Sequence, residues 1–428
     1  MRVLLTGATG LIGSAVLVGL VREGHAVVAV ARPGRVCTEL GATRWLGLDI
    51  ARAGRAGDWL PHLAGIDAVV NCAGVLQDGP RDSTRAVHVE GAAALFAACE
   101  QAGVRRVIQV SAVGVDRAAV TAFGRTKLAG DQALMTRNLD WVILRPSVVV
   151  GRAAYGGSAL LRGLAALPVV PQMPDAGELQ IVQIGDLVRT VVYFLRPDAP
   201  ARVALDVVGP ERLSVTDAVL AYRRWLGWGK ARVVRLPRWL VHGLSGAGDI
   251  AGLLGWRSPM RTTARRELAR GATGDASEWR RITGIAPQSL ADALAGEPAS
   301  VQERWFARLY LVKPLVLGVL ALFWIATALL PFGPAWDASM RFTTEDGLML
   351  APLVAIAVAV VEATIGVAIA VRRTARPALL AALGLTILQL ALGTVFAPEV
   401  WLGQRGPLLR EVPLLVLTLV ALAILDER

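Results

Sequence analysis

Hydrophobic positions in the first part of the chain fall in short continuous runs rather than in alternation. Val3-Leu4-Leu5 leads through Thr6-Gly7-Ala8-Thr9-Gly10-Leu11-Ile12-Gly13 into an apolar stretch with helical spacing. Further runs follow at Ala26 to Val30, Ala68 to Val70, Val107 to Val110 and Trp141 to Leu144. Unbroken apolar runs of this length read as strands covered on both faces. Helical patterns separate them, notably Val87 to Gln101 and Gly124 to Arg137. Strands alternating with helices predict an α/β domain built on a doubly wound parallel sheet. The pattern then changes. Four long apolar runs close the sequence: Pro314 to Leu330, Leu350 to Val371, Pro377 to Ala397 and Pro407 to Leu425. A bilayer-spanning helix needs about 20 such residues, so these predict an all-α four-helix transmembrane bundle. Arg410 and Glu411 make the fourth run the weakest.

The chain of 428 residues is thereby divided into a nucleotide-binding segment, 1–151, a smaller substrate-binding segment, 152–300, and a membrane domain, 306–428. Expected spans are 314–330, 350–371, 377–397 and 407–425. The basic, then apolar, N-terminus is not read as a signal peptide, because glycines break its apolar core. In the middle segment, Asp186 is expected to cap a helix, and Ser214 with Asp217 to form a capping pair. Leu236 to Trp256 is apolar but too rich in glycine to span, and Arg257, Arg261, Arg265, Arg266 and Arg270 follow it. That combination suits helices lying on the inner leaflet, or equally a solvated charged face over an ordinary small core.

Net charge is +11, and all basic residues except Lys127, Lys230 and Lys313 are arginine. Residues 1–300 hold 35 basic and 25 acidic side chains. No recognition motif accompanies this charge, so no nucleic-acid partner is expected and an anionic membrane surface fits better. Cys37, Cys72 and Cys99 form an odd set without metal-ligand spacing, so neither a metal site nor a disulfide framework is expected. Arg304, Arg308 and Lys313 precede the first span, and Arg372, Arg373 and Arg376 lie between the second and third. The other two loops carry Asp337, Glu345, Asp346 and Glu399. By the positive-inside rule this predicts an inner (cytoplasmic) membrane protein with both termini cytoplasmic. Within the spans, Glu362 shares a face with Ala359, Gly366 and Ala370, and Gln389 with Ala382, Thr386 and Gly393. Small residues mark helix contacts, so both polar groups should point into the bundle. Glu362 then serves either proton exchange or a hydrogen bond to Gln389.

The glycine run carries the clearest chemistry. Between a strand and a helix, Gly7, Gly10 and Gly13 permit a sharp turn, close approach of backbone to a pyrophosphate, and tight helix–strand packing. The helix N-terminus adds free N–H groups and a partial positive charge. Gly7, Thr9, Gly10, Leu11, Ile12 and Gly13 are therefore expected to hold a dinucleotide. The second strand ends in Ala31-Arg32-Pro33-Gly34-Arg35, with no acid for ribose hydroxyls. Arg32, with or without Arg35, suits a 2′-phosphate, so NADP is favoured over NAD. Asp49 and Ile50 should lie near the adenine, and Asn71 with Cys72, Ala73 and Gly74 beside the ribose and nicotinamide.

Together these residues, with Ser111 after the fifth strand and Leu144-Arg145-Pro146 followed by Gly151, resemble the atypical and extended short-chain dehydrogenase/reductases (SDRs). Within that family the chain is similar to the group of the nucleotide-binding accessory subunit of respiratory complex I. The tail resembles DoxX-like four-helix membrane proteins. The resemblance implies a Rossmann-type sheet over about residues 1–295 and NAD(P)-dependent redox chemistry. The family's chemistry needs a tyrosine four residues before a lysine, on one helix face, and a serine that orients the carbonyl. Here the match is Phe123-Gly124-Arg125-Thr126-Lys127. Lys127 and Ser111 are in place as candidate catalytic residues; the proton donor is not. Tyr155 is the candidate replacement, against ordinary packing. Ser111 equally suits a strand-end hydroxyl. The expected function is a membrane-bound oxidoreductase acting on a lipophilic small molecule or quinone. The alternative is a non-catalytic NADP(H)-binding sensor or assembly module with a membrane-protein partner.

Overall fold

The computed structural model describes residues 1–34, 40–80, 82–117, 120–332, 351–396, 398–401 and 407–425. Arg35, Cys37, Asp337, Glu345, Asp346, Leu350 and Ala397, named above, lie outside them. The chain divides into two compact units: Met1–Ile250 with Ser258–Ala307, and Ala251–Arg257 with Arg308–Arg428.

The first unit begins β1 (Arg2–Thr6), α1 (Leu11–Arg22), β2 (Ala26–Ala31), β3 (Arg44–Gly47), α2 (Leu60–Leu63) and β4 (Ala68–Asn71). After a π-helical turn, Ala86–Gly91, come α3 (Ala92–Ala102), β5 (Arg106–Val110), α4 (Ala122–Met135) and β6 (Asp140–Pro146). Next are β7 (Val149–Val150), α5 (Gly156–Ala165), β8 (Val169–Gln172), β9 (Val182–Gln183), α6 (Ile184–Phe194) and β10 (Val203–Val207). The unit continues with α7 (Val215–Trp225), β11 (Arg232–Arg235), α8 (Arg238–Leu253), α9 (Thr262–Arg270), α10 (Ser277–Thr283) and α11 (Leu290–Gly296). Seven strands form one sheet in the order β10-β6-β5-β4-β1-β2-β3. All its pairs are parallel; Leu4, for example, sits opposite Val28 on one side and Val69 on the other. This is the doubly wound Rossmann-type sheet.

Alternate strand residues feed two cores. Val3, Leu5, Ala29 and Val70 pack with Leu17 and Leu20 of α1, Leu187 and Phe194 of α6, and Trp279 of α10. Leu4, Val28, Val69 and Val107 pack on the other face with Trp59, Leu63, Leu95 and Phe96. Burial on both faces explains why the strands read as unbroken apolar runs. The predicted helix from Val87 is split, because its first turn is the π-helical one. Asp186 does not cap α6: Gln183 holds that position, and Asp186 accepts the Gln288 N–H at 3.0 Å and pairs with Arg189. Ser214 and Asp217 do form a capping box on α7.

The second unit is helical. α12 (Val301–Leu329, of which the residues to Ala307 belong to the first unit), α13 (Ala351–Ala370), α14 (Ala375–Phe396) and α15 (Pro407–Ile424) are largely apolar. Two of them, α12 and α14, are long and apolar enough to cross a membrane among the described residues. Helix α12 runs through Pro314, where the apolar run begins in the sequence, because one proline removes only one ladder bond. Inside the unit, Leu320, Ala321, Trp324, Ile369, Leu379 and Ala382 are buried, whereas Leu322, Val367, Leu388 and Val395 face outward. A Cβ on Gly366 would come within 2.8 Å of Ala321 O, so this glycine lets α13 approach α12. Glu362 on α13 comes near Thr327 on α12 and Gln389 on α14.

Candidate nucleotide-binding site

The turn after β1 is built by the absence of side chains. Gly7 has φ +66°, and a Cβ there would lie 2.8 Å from Cys72 O and Ala73 N. A Cβ on Gly13 would lie only 2.1 Å from Gly7 O. Gly10 N–H closes the turn on Gly7 O at 2.9 Å, and Gly10 is the N-cap of α1 with no side-chain acceptor of its own. The first-turn amides of α1, at Leu11, Ile12 and Gly13, therefore have no capping side chain to satisfy them. An uncapped N-terminus behind a glycine turn is a preformed anion site. Thr9 lies in this turn, partly exposed.

The ends of β4 and β5 approach the same turn. Thr6 Oγ1 donates to Asn71 Oδ1, which also accepts from Ala73 N–H, while Asn71 Nδ2 donates to Gln109 at 2.7 Å. A Cβ on Gly74 would stand 3.2 Å from Lys127 Nζ and 3.5 Å from His88 Nε2. Gly7, Cys72, Ala73, Gly74 and Lys127 are thus brought together. Burial pushes the Cys72 thiol up to about 12, so it is no thiolate. Lys127 donates to Val110 O at 2.8 Å, and burial pulls its ammonium down to about 8, against the opposing pull of Asp131 and Cys72. Asp49 Oδ1 accepts from Ala51 N–H, and Ile50 O abuts Gly91 of the π-helical turn. Arg32 is held by Asp82 at 2.8 Å.

Lys127 stands on α4, one turn beyond Phe123. The Phe123 ring meets His88 edge-on, with centroids 5.7 Å apart. His88 Nε2 accepts the Val75 N–H at 3.0 Å, which places the proton on Nδ1, 2.9 Å from Thr126 Oγ1. Burial and the nearby Lys127 charge hold this imidazole down at about 2, so it is neutral and both nitrogens are engaged. Neither group can stand in for the missing phenol. Ser111 is not free to orient a carbonyl in this state: its Oγ donates to Asp131 Oδ2 at 2.8 Å. Asp131, fully buried, also faces Arg145 Nε at 3.4 Å, and its Oδ1 has no partner among the described residues. Burial raises its carboxyl, opposed by Ser111 and Arg145. The charges continue outward from Arg145 to Asp116 at 2.5 Å, then to Arg117 and Asp206.

Tyr155 is not brought to this cluster by any contact. It is the N-cap of α5, its N–H bonded to Ser158 Oγ at 3.0 Å, and the residue is 38% exposed. Among the described residues no hydrogen bond links its phenol to Ser111 or Lys127, whose partners are Asp131 and Val110. Sequence reasoning missed His88, Thr126 and Asp131, and it read Arg145 only as part of the Leu144-Arg145-Pro146 motif. Only Asp131 left a signal, four residues after Lys127 on the same helix face.

Fold and turn together define a dinucleotide-binding protein. Residues 7–162 match the NAD(P)H-binding family, and residues 321–419 match the DoxX-like family. The chain thus carries an SDR-like NAD(P)H-binding domain and a DoxX-like domain. A ceramide reductase from Caulobacter vibrioides is 24% identical over 241 residues, covering 55% of this chain and 73% of that protein. Sterol demethylase protein B from Methylococcus capsulatus is 28% identical over 346 residues, covering 71% of this chain and 99% of its own. Among solved structures, the Bordetella bronchiseptica enzyme WbmG in complex with NAD superposes with a TM-score of 0.53 at 18% identity, over 69% of this chain and 92% of that one. At that identity the likeness is one of fold.

Proposed function

We propose that this chain is a membrane-anchored NAD(P)H-dependent oxidoreductase of atypical SDR type, acting on a lipophilic or quinone-like acceptor. The observation that carries the reading is the meeting of an uncapped glycine turn with a buried lysine on α4. When bound, NAD(P)H supplies the hydride. The amides of Leu11 and Ile12 hold the pyrophosphate, Asp49 and Ile50 the adenine end, and the backbone of Cys72 to Gly74 the reacting end. Lys127 binds the ribose hydroxyls and keeps positive charge beside the acceptor. Arg32 exchanges Asp82 for the 2′-phosphate, giving NADPH preference. A quinone taking hydride needs one further proton, which water can supply, so the lost tyrosine matters less than in ketone reduction. The membrane domain and relatives named for a ceramide and a sterol favour a lipophilic acceptor. Loop charge favours a cytoplasmic nucleotide domain, at the inner membrane in a bacterial cell. Segments 1–151, 152–300 and 306–428 would then serve nucleotide, substrate and membrane in turn.

Phe123 favours a second reading, a nucleotide-binding module without turnover that senses redox state or supports a membrane assembly. NADPH consumption by the purified full chain in nanodiscs, with a panel of short-chain quinones and lipophilic ketones, separates the two. Acceptor-dependent oxidation supports the first. Tight nucleotide binding with no consumption, and activity appearing only in Phe123→Tyr, supports the second. Failure to bind either nucleotide overturns both.

A further inference from the structure

Away from the glycine turn, the first unit contains a cavity of about 30 Å³ between α8, α9 and the segment Met173 to Ala176. One ordered water needs about 10–15 Å³, so a small oxyanion head fits and a nicotinamide-sized ring does not. The walls are apolar at Met173, Val241 and Leu268, but Arg238, His242 and Arg265 also face the space. Arg238 is neutralised by Asp175 at 2.7 Å, at a rim where Asp175 takes a left-handed φ of +63°. Arg265 is different. Its Nε is buried without a hydrogen-bond partner among the described residues. The nearest acid on its own helix, Glu267, is already engaged by Arg270 at 3.0 Å and by Thr121. A buried guanidinium nitrogen left unsatisfied is costly unless an acceptor fills the space.

The helix that lines the cavity also carries an unpartnered apolar face. Trp239 is 74% exposed and Ile250 62%, eleven residues apart and so on one side of the helix. We propose that this cavity is a second ligand site, taking the phosphate-type headgroup of an anionic single-chain amphiphile, with Arg265 and His242 on the head and the tail along Trp239 and Ile250. A chain with a membrane domain meets such molecules at the bilayer surface. The site is independent of nucleotide turnover and stands if the chain proves non-catalytic.

The test uses the full chain in phosphatidylcholine nanodiscs, with lysophosphatidic acid, the matching monoacylglycerol and inorganic phosphate as probes, read by Trp239 fluorescence and native mass spectrometry. Saturable lysophosphatidic acid binding is expected, weakened about tenfold or more in Arg265→Ala and largely kept in Arg265→Lys. NADPH affinity and melting temperature check that the variants fold, and His242→Ala gives a second reading of the same head. Phosphate competing only at far higher concentration supports an amphiphile. Phosphate competing on equal terms overturns the tail path. Equal binding of the neutral monoacylglycerol, or an unchanged Arg265→Ala, overturns the site.

Discussion

Replacing Gly13 by alanine is the sharpest perturbation of the glycine turn. The new Cβ would sit 2.1 Å from Gly7 O, 2.7 Å from Gly7 C and 3.1 Å from Ala8 Cα. Ordinary carbon contacts lie at about 3.5 Å, so the turn must retreat by about an ångström. Nothing nearby is the far end of a flexible side chain; the obstacle is backbone. Overpacking of this kind costs about 1–3 kcal/mol. Moving the α1 amides off the pyrophosphate also weakens charge-assisted hydrogen bonds worth about 1.5–3 kcal/mol each. The overpacking shows as a lower melting temperature, while weakening one or two of these hydrogen bonds by about 2–4 kcal/mol in all corresponds to roughly 30- to 1,000-fold in Kd. Gly10→Ala meets a single contact at 3.2 Å and should cost only a few-fold, and Gly54→Ala, with nothing within 4 Å, should change nothing. Titration calorimetry with NADPH on the three variants, alongside thermal melts, gives the order. If Gly13→Ala melts normally and binds within about threefold of the parent, the turn does not hold the pyrophosphate.

Lys127 gives opposite pH effects on binding and stability. Its ammonium is held at about 8 by burial, so NAD(P)H affinity should fall as pH rises through about 8, and Lys127→Met should remove that inflection. The unfolded chain keeps the proton up to the ordinary lysine range, so stability should rise between those values as the folded chain sheds it; a flat melting profile across that window would sink the assignment. Arg32→Ala should lower NADPH affinity about tenfold or more and leave NADH unchanged, while Asp82→Asn should raise the NADPH/NADH ratio. An unchanged ratio in both would remove Arg32 from cofactor choice. Asp131→Ala strips Ser111 and Arg145 of a buried partner and should destabilise the first unit by about 3–5 kcal/mol. Thermal denaturation in detergent measures it, and a shift within error would mean the pair is not worth its burial.

The sheet and the glycine turn were legible because both rest on local rules. Val3 to Leu5 is buried on two faces and so reads as one apolar run, and the closeness of Gly13 to Gly7 demands glycine whatever surrounds it. The apolar helices of the second unit were legible through length and hydropathy, and of these α12 and α14 are long and apolar enough to cross a membrane among the described residues. The inner contacts of the candidate site were not. His88 is locked by the Val75 amide and Thr126, and neither partner has any sequence pattern that points to it. Asp131 takes Ser111 from substrate contact across 20 residues of chain, and no periodicity reports that. Arg32 looked available in the sequence because Asp82, 50 residues on, carries no motif. Tyr155 was proposed from residue type alone, and its place was decided by helix capping.

The string of alternating charges from Asp131 through Arg145 and Asp116 to Arg117 and Asp206 has a consequence for anyone redesigning the cleft. It laces α4 to the tips of β6 and β10, so the lysine's stance is inherited from strands far away in sequence. Transplanting the Phe123 to Lys127 segment into another scaffold would leave that lacing behind. The graft would carry the right letters and lose their aim.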